Sequence, residues 1–166
     1  MAMFFEHADV SLPGETTVLV RRSFKAPRDL VWRAHTEPKL FQRWLLGPPG
    51  WTMPVCEMDV RVGGAFRCLW RSDEDGKEFG VFGDYREISA PIRLVHTEFF
   101  DAGDGADKGE GSLQTLEFQE RGGATTLVSL MDFFTKDARD AAVATGMTDG
   151  MEASYALLEK VCAELR

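Results

Sequence analysis

The stretch Trp51-Thr52-Met53-Pro54-Val55-Cys56-Glu57-Met58-Asp59-Val60-Arg61-Val62-Gly63-Gly64-Ala65-Phe66-Arg67-Cys68-Leu69-Trp70 decides how the chain is read. It divides into two strands around Gly63-Gly64, because glycine supplies the positive φ that a two-residue hairpin loop requires. Counting outward from that loop pairs Val62 with Ala65, Arg61 with Phe66, Asp59 with Cys68 and Glu57 with Trp70. Side chains alternate along a strand, so Glu57, Asp59, Arg61, Phe66, Cys68 and Trp70 are expected on one face, with Cys56 on the other face from Cys68. Large aromatics set among charges point to the wall of a pocket rather than to a plain core.

The pairing extends downstream. A turn at Asp73-Glu74-Asp75-Gly76 sets Trp70 opposite Phe79, Cys68 opposite Val81 and Phe66 opposite Gly83. The turn at Ala90-Pro91 then sets Tyr85 opposite His96, which brings Leu94, Glu98 and Phe100 to the same face. A run of glycines and acids follows at 101–111. Its Asp101, Gly103, Asp104, Gly105 and Asp107 lack the spacing and terminal glutamate of a calcium loop, so it reads as a solvated, mobile loop. The last hairpin, 113–119 with 125–134, turns at Gly122-Gly123.

Upstream, residues 1–15 read as an irregular lead-in and 16–166 as a single domain. Residues 16–25 are β-branched and strand-like, and Pro27 opens a helix where its missing N–H costs nothing. A second short helix starts at Glu37-Pro38 and is stopped by Gly47-Pro48-Pro49-Gly50. At the other end Thr135 is a fitting N-cap, followed by one long helix. Met147, Met151, Ser154, Tyr155, Leu158, Val161 and Leu165 form its apolar stripe. Gly146 and Gly150 in that helix point to a kink or to a close approach of something bulky. The order is strand, two helices, hairpin-connected strands and a terminal helix, which gives an α+β fold: an antiparallel sheet curved around a helix whose stripe it buries.

Composition narrows the function. At 166 residues the chain is long enough to bury roughly 70% of its unfolded surface. A net charge of −8, with arginines scattered rather than clustered, argues against a nucleic-acid partner. No apolar run approaches membrane-spanning length and no signal peptide is evident, so neither a membrane partner nor export is expected. Three cysteines, Cys56, Cys68 and Cys162, are an odd number on regular elements and read as reduced thiols of a cytoplasmic protein. No zinc spacing, phosphate loop or nucleophile motif is present, so no metal and no cofactor are expected.

The chain resembles a known family. The matching pieces are Phe24-Lys25-Ala26-Pro27 with Val31-Trp32, Thr36-Glu37-Pro38 with Trp44, the run from Met58 to Gly64, Leu94-Val95-His96-Thr97-Glu98, and Ala138-Arg139-Asp140 leading into Ala144-Thr145-Gly146-Met147. Together they are similar to the branch of the SRPBCC (START-like, helix-grip) superfamily named after the activator of Hsp90 ATPase homologue. The resemblance covers residues 16–165. It implies a seven-stranded antiparallel sheet wrapped around the C-terminal helix, with two short helices between the first and second strands and a ligand-sized cavity between sheet and helix. Met151 departs from the pattern, since relatives often carry tryptophan there. A reaction is not implied, because members bind, transport or transform different ligands.

The residues expected to line the cavity are Trp44, Met53, Phe66, Cys68, Trp70 and Phe79, with Tyr85, His96, Phe100, Met147, Met151 and Tyr155. The leading expectation is binding of a small, largely hydrophobic or aromatic ligand, with a homodimer as one possible assembly. An enzyme of cyclase, dehydratase or hydrolase type is the alternative, with His96 as base and Glu98, Tyr85, Asp59 or Arg61 assisting. The favoured reading of those residues is structural: a satisfied histidine and a cross-strand Asp59–Arg61 ion pair near the open end. A chaperone-interaction module, as the family's name implies, is the third reading.

Overall fold

A computed structural model describes residues 3–101 and 111–166. The expected solvated loop, with Gly103, Asp104, Gly105 and Asp107, lies outside the described residues. The elements are β1 (Asp9–Ser11), β2 (Thr17–Phe24), α1 (Arg28–Thr36), α2 (Pro38–Trp44), β3 (Trp51–Met58), β4 (Ala65–Ser72), β5 (Glu78–Ser89), β6 (Arg93–Asp101), β7 (Ser112–Arg121), β8 (Ala124–Asp132), α3 (Lys136–Ala144) and α4 (Met147–Leu165). The strands make one antiparallel sheet of eight, in the order β1-β2-β8-β7-β6-β5-β4-β3. The class is α+β and the arrangement matches the helix-grip fold.

Three expectations need correction. The sheet has eight strands rather than seven. Its extra strand is β1, inside the supposed lead-in, where Asp9 lies opposite Arg21 and the two side chains pair at 2.8 Å. The terminal helix is two helices. Thr135 Oγ1 caps α3 by accepting from Ala138 N at 3.1 Å, and the helix direction resets at Gly146, whose φ of +80° only glycine adopts without strain. Gly150 sits inside α4 and a Cβ there would meet nothing within 4 Å, so no bulky group approaches it.

The third correction is the register of the β3–β4 hairpin. Met58 pairs with Phe66, Glu57 with Arg67 and Cys56 with Cys68. Residues 59–64 form a loop that closes on itself, with Arg61 N donating to Asp59 O and Gly64 N to Arg61 O, both at 2.8 Å. The two glycines are not a two-residue turn; they dock on the next strand. Gly63 N donates to Tyr85 O at 2.8 Å, and Tyr85 N donates to Gly64 O at 2.9 Å. A Cβ on Gly64 would lie 2.0 Å from Asp59 O, so the loop closes only with glycine there. The pairing is offset by an odd number of residues from the expected one, which turns the strand over. Cys56 and Met58 therefore share the inner face with Phe66, Cys68 and Trp70, while Glu57, Asp59 and Arg61 do not. The ladder is interrupted between Thr52 and Val55, at Pro54, which has no N–H to give it.

Elsewhere the inner-face pairs expected from the sequence are found, although the β5–β6 ladder shifts by one residue between Tyr85 and Glu87. Trp70 faces Phe79, Cys68 faces Val81, Phe66 faces Gly83 and Tyr85 faces His96. The β4–β5 ladder is continuous, because its short turn leaves little freedom for slippage.

The core is fullest where α1 and α2 meet the C-terminal half of α4. Phe24, Val31, Trp44, Phe118 and Leu158 are almost wholly buried there. The backbone of α4 approaches α1, α2 and α3 most closely. One ion cluster, with its arginine buried and its carboxylates partly exposed, ties it to β2. Arg22, on the inner face of β2 and 2% exposed, donates to Glu152 at 3.1 Å and to Glu159 at 2.9 Å, both carried by α4. Its Nη1 also donates to Ser23 O at 2.8 Å. Replacing both carboxylates, Glu152→Gln with Glu159→Gln, strands a buried guanidinium and is expected to cost about 3–5 kcal/mol in urea unfolding. Loss of less than about 1 kcal/mol would show that α4 is held by apolar packing alone.

Candidate ligand cavity

Between the inner sheet face and α4 lies a cavity of about 660 Å³, well within the size range of small-molecule sites. Each wall follows from an element already described. The sheet contributes Phe66, Cys68 and Trp70 from β4, Val81 and Tyr85 from β5, and Leu94, His96, Glu98 and Phe100 from β6. The helices contribute His35, Phe41 and Trp44 on one side and Met147, Met151, Ser154 and Tyr155 on the other.

The aromatic rings are held from behind. Trp70 stacks on Phe79 with ring centres 5.1 Å apart, and its indole N–H donates to Leu45 O at 2.6 Å. Trp44 donates to Ala34 O at 2.8 Å and stacks on Tyr155 at 6.2 Å. Phe66 meets His96 edge-on at 5.1 Å. These contacts leave the rings little freedom to collapse inward.

Polar groups collect in one region of this apolar wall. On β6 and β7, Glu98 lies opposite Ser112 and His96 opposite Gln114. Gln114 Nε2 donates to Ser112 Oγ at 2.8 Å. His96 Nδ1 lies 2.9 Å from Thr97 O, and His35 Nδ1 lies 2.8 Å from Val31 O. A carbonyl only accepts, so both rings carry their proton on Nδ1 and present a lone pair on Nε2. Burial lowers the pKa of both, that of His35 to about 4, and each ring is neutral at pH 7.

Glu98 differs from its neighbours. Its carboxyl makes no hydrogen bond or ion pair with the described residues, and burial raises its pKa to about 7. The hydroxyls of Tyr85 and Tyr155 also have no partner among the described residues, and burial raises their pKa values too. Yet no fully buried side-chain oxygen or nitrogen among the described residues lacks a partner. The free atoms of Glu98, Tyr85 and Tyr155 therefore open onto the cavity that these residues line.

Of the residues singled out from sequence, Trp44, Phe66, Cys68, Trp70, Tyr85, His96, Glu98, Phe100, Met147, Met151 and Tyr155 come together on this cavity. Phe79 stands behind Trp70. Met53 is 5% exposed in the packed core, away from the cavity, and its carbonyl accepts from Gln42 Nε2 at 3.0 Å. Asp59 and Arg61 are exposed in the β3–β4 loop and pair with each other at 2.8 Å, so they cannot serve the cavity. That pair is within one loop rather than across strands. Cys56 and Cys68, expected on opposite faces, are cross-strand neighbours with sulfurs 3.9 Å apart, and both are free thiols.

Sequence reading missed His35, Ser112, Gln114 and Met131. A signal for two of them was present: Ser112, Gln114, Leu116 and Phe118 alternate on one face of β7, polar at one end and apolar at the other. His35 carried none, because its role depends on how α1 meets the sheet.

A family model, Activator of Hsp90 ATPase homolog 1-like protein, matches residues 25–163. The chain belongs to this family. Solved structures similar to this member include a protein from Rhodobacter sphaeroides, 30% identical, with a TM-score of 0.85 over 96% of this chain and 99% of that one. A protein from Nitrosomonas europaea, 24% identical, has a TM-score of 0.80 over 93% of this chain and 98% of that one. An AHSA1-like protein from Aeromonas hydrophila, 20% identical with a TM-score of 0.69 over 89% and 95% of the two chains, shares the fold. The search of the curated proteins found no match to the chain. The family assignment is consistent with the SRPBCC superfamily, whose fold commonly binds hydrophobic ligands. Among the described residues no helix is long and apolar enough to cross a membrane.

Glu98 gives the cavity a pH signature. Its folded pKa of about 7 exceeds the unfolded value of 4.5, so the folded state holds the extra proton between those limits. Stability is then fully present below pH 4.5 and falls as pH rises to 7, by up to roughly 3 kcal/mol at 1.36 kcal/mol per pKa unit. His35 acts oppositely, adding stability as pH rises from about 4 to 6.5. Glu98→Gln is expected to match the unaltered chain in urea unfolding at pH 5 and to exceed it at pH 8. Equal stability at both values would place the carboxyl in solvent.

Proposed function

We propose that this chain binds a small, largely hydrophobic ligand in the cavity between the sheet and α4. The observation that carries the proposal is the cavity of about 660 Å³, walled by braced aromatic rings and methionines. Methionine is unbranched and adapts its shape, which suits Met147 and Met151 to a wall that meets ligands of differing outline. A core meant only for stability would close such a space, since unfilled volume costs roughly 24 cal/mol per Å³. The free thiols of Cys56, Cys68 and Cys162 fit a reducing compartment, and we infer a cytoplasmic site of action.

A second reading draws on His96 and Glu98, which stand two residues apart on one strand and face the same cavity. In a dehydration of a β-hydroxycarbonyl compound, His96 Nε2 would take the α-proton. Protonated Glu98 would give its proton to the departing hydroxide, which leaves as water. Such an activity would fall above pH 7 as Glu98 ionises, and His96→Gln would lower kcat far more than it changes KM.

Met151 tests the binding reading. Met151→Trp is expected to fill part of the cavity, raise the melting temperature of the free protein and weaken binding of 2-naphthalenemethanol at least tenfold. Met151→Ala should cost less than the 2–5 kcal/mol typical of a packed core methionine, about 1 kcal/mol. Thermal unfolding and native mass spectrometry read both. Destabilisation by tryptophan with a full core-sized loss for alanine would make Met151 ordinary packing.

A further inference from the structure

We infer that the cavity selects a ligand with an apolar, ring-containing body and a protonated amine, which the Glu98 carboxylate meets as counter-charge. The inference rests on the ligand-binding reading and adds the class of ligand.

Charge supplies the first reason. Among the described residues lining the cavity there is no lysine and no arginine, and Glu98 is the only carboxyl. An anionic ligand, such as a fatty acid, would lose its hydration without meeting a positive group among the described residues, and would face a like charge. A cation meets the opposite situation. Its attraction to a carboxylate is strengthened by the apolar surroundings, and it completes a charge that no described residue pairs.

Hydrogen bonding supplies a second, independent reason. Glu98 offers carboxylate lone pairs, and His35 and His96 each offer an Nε2 lone pair, because their Nδ1 protons are held by Val31 O and Thr97 O at 2.8 and 2.9 Å. Gln114 already spends an amide N–H on Ser112. The hydroxyls of Tyr85 and Tyr155 serve either role. The site is thus rich in acceptors, and an ammonium group, with donors only, matches it. Phe66, Trp70 and Phe100 line the same cavity, and a cation that meets the face of such a ring is further stabilised.

The groups that face Glu98 set the pH behaviour. Ser112 lies opposite it on β7, and Cys68 from β4, Tyr85 from β5, His96 from β6, Gln114 from β7, His35 from α1 and Tyr155 from α4 line the same cavity. None carries positive charge at neutral pH. With the free carboxyl titrating at about 7, an ammonium ligand binds the ionised form and displaces a proton. Affinity should therefore rise about tenfold from pH 6 to pH 8 and then level.

Titration calorimetry with three ligands of one shape decides the matter: 2-naphthylmethylamine, 2-naphthalenemethanol and 2-naphthoate. At pH 8 the amine is expected to bind at least tenfold tighter than the alcohol, with the carboxylate weakest. The amine-to-alcohol ratio should shrink about tenfold at pH 6, and Glu98→Gln should bring it near one at both pH values. The pH series on the unaltered chain tests the inference even if the variant fails to fold. Equal affinity for amine and alcohol, an advantage that persists in Glu98→Gln, or tightest binding of the carboxylate overturns the inference and leaves the binding reading standing. Failure of both amine and alcohol to bind the unaltered chain overturns both.

Discussion

The clasp of Arg22 between Glu152 and Glu159 sets the distance between β2 and α4, and the cavity depends on that distance. A guanidinium on the inner face of a strand must find carboxylates, and both come from one helix. The same helix is anchored by Leu158, Val161 and Cys162, which are buried in its C-terminal half. Its N-terminal half carries Met147 and Met151, half-buried over open space. Ser154 Oγ accepts from Gly47 N at 2.8 Å and ties the middle of the helix to the loop after α2. A helix held by one half and by a charge cluster cannot settle onto the sheet, so the space beneath its other half persists.

The break at Gly146 is the second requirement. A continuous helix from residue 136 would carry α3 and α4 along one axis. The left-handed residue lets α4 begin beside the cavity with its own direction, and Thr135, the cap of α3, lies on the cavity's rim. Sheet and helix therefore contribute different chemistry to one space. The strands bring Glu98, His96 and Gln114, while α4 brings methionines and Tyr155.

How much of this was legible in the sequence depended on the range of the interaction. Period-two patterning and short turns placed β4 to β8, and they gave the facing of Trp70 with Phe79 and of Tyr85 with His96, because each is fixed by residues close in the chain. The β3–β4 hairpin was not legible in the same way. Gly63 and Gly64 are bound to the backbone of Tyr85, some twenty residues on, and that distant pairing overrides the two-residue turn their sequence favours. The consequence was a reversed face, which put Asp59 and Arg61 on the inner side of the sheet and Cys56 on the outer one. The Arg22 clasp joins β2 to α4 across most of the chain, and no local pattern announces it. His35 likewise enters the cavity through the packing of α1. What the sequence did carry was the resemblance of its motifs to a helix-grip family, which implied a cavity between sheet and helix before any register was known.

Ligand binding here requires a cavity that exists before any ligand arrives and that apolar molecules enter. A crystal structure of the protein soaked with 2-naphthalenemethanol tests this most directly. The account predicts the naphthalene ring between the β4–β6 face and α4, in contact with Trp70, Met151 and Tyr155, with α4 unmoved from its place in the ligand-free crystal. A ligand-free crystal in which Met147 and Met151 pack against Phe66 and His96, with no space for the ring, would contradict it.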